Sequence, residues 1–90
     1  MDLKLIRKNL NKIDQKLVEL IAKRQSYMPA VGKYKQENNL PITQTKREQE
    51  IFDSLKRLAK QKNVNPELIQ KIFKLIIADA KNIQRQVLKK

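Results

Sequence analysis

Three polar residues stand where a helical repeat calls for apolar ones. Leu3, Ile6, Leu10, Ile13, Leu17 and Leu20 recur at alternating three- and four-residue spacing, and the same phase runs on through Arg24, Tyr27, Val31 and Tyr34. A guanidinium in that stripe is costly unless paired, and a lone case is ordinarily explained by snorkelling or by a nearby glutamate. Lys35 follows eleven residues later, three helical turns, so the two cations leave nearly the same face about 16 Å apart at their backbones. Leaning together, they can close on one small anion. Gln84 repeats the anomaly in the stripe Phe73, Ile77, Ala80, Gln84, Val87. A buried amide needs partners, ordinarily supplied by a neighbour. Arg47 and Glu48 open another helix, where the arginine reads as a solvated charge and the glutamate as part of a cap. Each anomaly is weak alone. Together they bring cations, a carboxylate and an amide to one interior space.

The composition narrows the chemistry. The 90 residues include neither cysteine nor histidine, which removes disulfides, thiol nucleophiles, imidazole bases and the usual zinc sites. Any catalysis rests on Arg, Lys, Glu, Gln and hydroxyls. The net charge of +12 is spread evenly, +5 up to Asn38, +3 over 39–64 and +4 beyond. Neither a basic tail nor an Arg-rich reading helix stands out, and the aromatics sit at apolar phases, which argues against nucleic acid. A diffuse positive field favours small anions all the same. No apolar run approaches the ~20 residues of a membrane span or the core of a signal peptide, so a cytoplasmic protein is expected.

The elements that position these residues are helical. One glycine, three prolines and no alternating strand pattern predict an all-α domain over residues 1–90. Pro29 falls inside the first helix, where it removes a donor and presses on the carbonyl of Gln25. Because the seam keeps its phase across it, a kink within one continuous helix of about 35 residues, roughly 50 Å, is favoured over a break at Met28. Asn38-Asn39-Leu40-Pro41 ends that helix. Thr45-x-x-Glu48 reads as a capping box for a second helix reaching Lys62, and Asn65-Pro66-Glu67 caps a third. A first helix of that length cannot bury its seam on two shorter helices of the same chain. Self-association through it is expected.

The ordered set Ile6-Arg7, Ile13-Asp14, Leu17-Val18, Arg24, Val31-Gly32-x-x-Lys35, Leu40-Pro41-Ile42, Arg47-Glu48, Ile76-Ile77-x-Asp79 and Gln84 resembles the all-helical chorismate mutases. The resemblance covers essentially the whole chain. It implies three helices per chain, two chains intertwined along their first helices as a homodimer, and two active sites that convert chorismate to prephenate in aromatic amino-acid biosynthesis. It implies that Arg24, with Arg7 of the partner subunit, clamps the substrate carboxylates, that Lys35 and Gln84 hydrogen-bond the ether oxygen, and that Arg47, Glu48 and the backbone at Gln44 hold the ring hydroxyl side. Geometry agrees on Arg7, which lies roughly 25 Å along the helix from Arg24 and about 100° round it, too far to share a site within one straight helix. A pericyclic rearrangement transfers no proton, which suits a chain without histidine or cysteine, and the resemblance implies no metal and no cofactor.

Two positions depart from the common pattern. Gln44 stands where an aspartate is usual, and Ala80 where a serine often helps hold a carboxylate, a hydrogen bond worth on the order of 1 kcal/mol. An isochorismate pyruvate-lyase, built on the same fold with a similar cationic pocket, is the nearest alternative, although the motifs resemble the mutases more closely. From another class, a basic helical dimer that binds nucleic acid or a protein partner is opposed by the even charge and by the register of Arg24, Lys35 and Gln84.

Overall fold

The computed structural model describes residues 2–88, so Met1, Lys89 and Lys90 of the 1–90 domain lie outside the described residues. Four helical segments follow in order: α1 Leu3–Gln25, α2 Met28–Glu37, α3 Thr45–Gln61 and α4 Pro66–Leu88. No strand occurs among the described residues. The long first arm is therefore interrupted. The expected continuous helix gives way to α1 and α2, with α2 starting at Met28.

Pro29 accounts for the interruption. It occupies the first turn of α2, where a missing amide hydrogen leaves no partner wanting. Ser26 and Tyr27 join the segments with both backbones still right-handed, at φ −63° and −79°. The Tyr27 amide bonds three residues back, to the Arg24 carbonyl at 3.3 Å, a tightened turn of the kind that closes helices. Because neither joint residue leaves the right-handed region, the seam carries its phase across a real break.

The other helix ends follow local rules. Asn39 and Asn63 take positive φ, 54° and 58°. The Leu40 amide reaches the Lys35 carbonyl at 2.8 Å and the Val64 amide reaches that of Ala59 at 2.8 Å, two Schellman closures with asparagine in the left-handed position. At the start of α4 the Asn65 side chain accepts from the Glu67 amide at 3.0 Å. The expected capping box is displaced. Gln44, not Thr45, is the residue before the first turn of α3, and the Gln44 side chain donates instead to the Pro41 carbonyl at 2.8 Å. With Thr45 already helical, Glu48 lies one residue too far on to reach back as a cap, and its carboxylate is engaged elsewhere.

α4 is the central element, with α2 and α3 against it. Its buried stripe is Ile77, Ala80 and Gln84, to which α3 adds Ala59 and α2 adds Gly32. Gly32 marks the closest approach: a Cβ there would lie 2.8 Å from the Gln84 carbonyl oxygen and 2.9 Å from its Cα. Only a residue without a side chain lets α2 come that near. The amide of Gln25 ties α1 to α4, donating to the Ile76 carbonyl at 2.9 Å and to the Asp79 carboxylate at 3.0 Å. Beyond that tie α1 buries nothing, and Leu10, Ile13 and Leu17 are each at least half exposed. The described chain measures 55 × 27 × 14 Å. Among the described residues no helix is long and apolar enough to cross a membrane.

Candidate active site

A cavity of about 230 Å³ opens where α2, α3 and α4 meet the end of α1. Arg24, Lys35 and Gln84, the polar residues in apolar register, all line it, and so do Gln44, Arg47, Glu48 and Ala80. Apolar walls come from Val31, Ile51 and Ile77. Arg7 lines no part of it and stands exposed on α1. A larger hollow of about 370 Å³ between α3 and the start of α4 has no buried residue in its lining.

Lys35 is held by two acceptors. Its Nζ donates to the Ile42 carbonyl at 2.7 Å and to Gln84 Oε1 at 2.8 Å. An ammonium has three N–H groups, so one remains for a ligand. Gln84 is 4% exposed, and its Nε2 donates to the Met28 sulfur at 3.3 Å, a weak acceptor. Because Oε1 accepts from Lys35, the donor end of this amide is fixed as Nε2. The close passage at Gly32 holds the two residues in register, since Lys35 lies one turn along α2 from that glycine.

Burial holds the Lys35 ammonium below the ordinary lysine value of 10.5; the nearby Glu48 carboxylate pulls it back up and the Lys81 ammonium pushes it further down. Glu48 pairs with Lys81, whose Nζ lies 3.2 and 3.3 Å from its two oxygens. Arg24 donates through Nη1 to Gln25 Oε1 at 2.8 Å, so the glutamine that ties α1 to α4 also orients this guanidinium. Arg47 is an exposed rim residue, 3.9 Å from Glu50 on its own helix. A long, solvated pair of that kind adds little to stability.

Sequence reasoning missed Lys81, Gln25 and Met28. Lys81 sits four residues after Ile77 and three before Gln84, spacing that places it on the same face. Its charge reads as surface because lysine is so often there. Gln25 and Met28 carry no signal of their own, since their partners are more than 50 residues away in sequence.

The arrangement gathers four cations, one carboxylate and a buried amide on the wall of one cavity, which suits a small anion. Residues 6–85 match the sequence profile of the family described as chorismate mutase type II. The chain is 37% identical over 83 residues to a chorismate mutase of Methanocaldococcus jannaschii, covering 92% of this chain and 84% of that protein. It is 35% identical over 89 residues to a bifunctional chorismate mutase/prephenate dehydratase of Buchnera aphidicola subsp. Schizaphis graminum, and 30% over 83 residues to that of Escherichia coli strain K12. It covers 99% and 92% of itself in these matches but spans only 23% and 22% of the bifunctional proteins. The chain belongs to the chorismate mutase type II family.

Proposed function

We propose that this chain rearranges chorismate to prephenate in the cavity between α2, α3 and α4, as one of two such sites in a homodimer. The observation that carries the reading is the coupling of Lys35 to Gln84, whose Oε1 accepts from the lysine Nζ at 2.8 Å, on the wall of a cavity lined by further cations. In the reaction one carbon–oxygen bond breaks as one carbon–carbon bond forms, in a single cyclic shift of six electrons. No proton moves and no bond to the protein forms. Negative charge grows on the ether oxygen, and the free N–H of Lys35 with Nε2 of Gln84 strengthens as it does, which favours the transition state over bound substrate.

The remaining groups hold the substrate folded, because the two reacting carbons must meet. Following the family resemblance, Arg24 takes one carboxylate with Arg7 of the partner subunit, and Glu48, Arg47 and the backbone at Gln44 take the ring hydroxyl side. Ala80 offers no hydroxyl, and its methyl is packed in the core. The exposed seam of α1 supports the dimer. Covering the uncovered half of each leucine or isoleucine contributes about 1 kcal/mol, and a matching helix from a second chain would also bring an Arg7 to the neighbouring site. The test is turnover: purified protein is supplied with chorismate and, separately, isochorismate, and prephenate and salicylate are measured. Prephenate from chorismate is expected. Salicylate from isochorismate, with chorismate untouched, would replace the mutase reading by that of a lyase.

A further inference from the structure

We propose that Lys81 is a positioning residue of this site, whose task is to hold the Glu48 carboxylate away from Lys35. The inference rests on the mutase reading above. The charged groups around the cavity are Arg24 from α1, Lys35 from α2, Arg47 and Glu48 from α3 and Lys81 from α4. Glu48 is the one carboxylate among them. A glutamate side chain is long enough to choose between these cations, and the choice decides what Lys35 can do. Two N–H groups of Lys35 are already engaged by Ile42 and Gln84. If Glu48 took the third, no charged donor would be left for the ether oxygen.

Lys81 prevents this by geometry. Its Nζ meets both Glu48 oxygens, at 3.2 and 3.3 Å, from the next helix. Each side chain of the pair is only 21% exposed, against 69% and 57% for the Arg47–Glu50 pair on the surface. The partly sheltered pair is the one screened less by water. Lys81 stands one turn before Gln84 on α4, so the helix that places the amide also places the clasp. A carboxylate oxygen offers two lone pairs, so a clasped Glu48 still accepts from a ligand hydroxyl. The ammonium of Lys81 also pushes on Lys35, in the same direction as burial.

The experiment compares wild type with Lys81→Met, Lys81→Gln and Lys81→Arg, using chorismate as substrate and recording kcat and KM from neutral to alkaline pH. Lys81→Met and Lys81→Gln should each lower kcat about tenfold with KM changed less than threefold, and Lys81→Arg should restore most of the loss. In Lys81→Met the alkaline fall of kcat/KM should move to higher pH, because Lys35 loses one repelling charge and gains a closer carboxylate. In a Glu48→Gln background Lys81→Met should have no further effect, since there is no carboxylate left to restrain. A merely structural Lys81 would lower melting temperature and leave the alkaline limb where it was. An active wild type whose Lys81→Met kinetics match it, or whose two substitutions simply add, would overturn this inference alone. A wild type that leaves chorismate untouched would overturn the mutase reading and this inference with it.

Discussion

Gly32→Ala is the most direct test of how the two donors are held. A Cβ at this position would lie 2.8, 2.9 and 3.2 Å from three backbone atoms of Gln84. Backbone cannot swing aside as a side chain can. Ordinary contact needs about 3.5 Å, so α2 must retreat from α4 by roughly 0.6 Å. Lys35 rides on the same helix, and its 2.8 Å bond to Gln84 would then stretch toward about 3.4 Å, past the effective range of ~3.2 Å. Overpacking costs ~1–3 kcal/mol, while alanine in place of glycine returns about 1 kcal/mol of helix propensity. The net loss is on the order of 1 kcal/mol, a fall in Tm of roughly 4–8 °C for a domain of this size. A displacement of ~1 Å at a reacting centre can cost a hundredfold, so a shift of half that should lower kcat about tenfold. Thermal melts followed by circular dichroism and initial rates with chorismate measure both quantities. A variant with wild-type Tm and kcat would show that α2 yields freely at this point and that the glycine does not set the donor geometry.

Lys35→Ala and Gln84→Ala should each raise the barrier by about 2–4 kcal/mol, acting mainly on kcat, as expected for donors to a developing oxyanion; equal losses in KM and kcat would contradict that. Gln84→Glu should work only with its carboxyl protonated, moving the optimum toward acid pH, and an unchanged pH profile would count against contact with the ether oxygen. Because the folded state holds Lys35 below 10.5, the unfolded chain keeps its proton longer as pH rises, so stability should climb through the alkaline window beneath 10.5 and level off above it. Denaturant melts of wild type and Lys35→Met test this, the climb shrinking in the variant. Arg7→Ala and Arg24→Ala should each be nearly inactive, but an equal mixture unfolded and refolded together should recover roughly a quarter of wild-type activity per site, because half the dimers are mixed and each of those has one whole site. No recovery in verified mixed dimers would remove the shared site.

The sequence was most informative where the governing chemistry is local. Asn65-Pro66-Glu67 places the start of α4, and the stop before Pro41 is seen in the left-handed Asn39 and the closure at Leu40. The register of Arg24, Lys35 and Gln84 was legible too, and the structure brings the three to one cavity. The interruption after Gln25 was not, because phase counts residues and two right-handed joint residues leave the count unchanged. Thr45-x-x-Glu48 misled for a related reason: a motif of two residue types does not say which residue begins the helix, and here the first turn starts one position early. The Glu48–Lys81 pair spans 33 residues between different helices, so it depends on how α3 and α4 pack, and the Gly32 passage does as well.

Four cations gathered round one carboxylate leave the lining of the cavity with an excess of positive charge. Any small dianion that settles there relieves it, so resistance to heat should follow occupancy: phosphate and sulfate would act as weak stabilisers, and prephenate, with the same two charges, as both stabiliser and inhibitor. Exchanging Lys35 for methionine would remove a desolvated ammonium but leave the Ile42 carbonyl and the buried Gln84 Oε1 without their donor, so the lysine and the amide depend on each other.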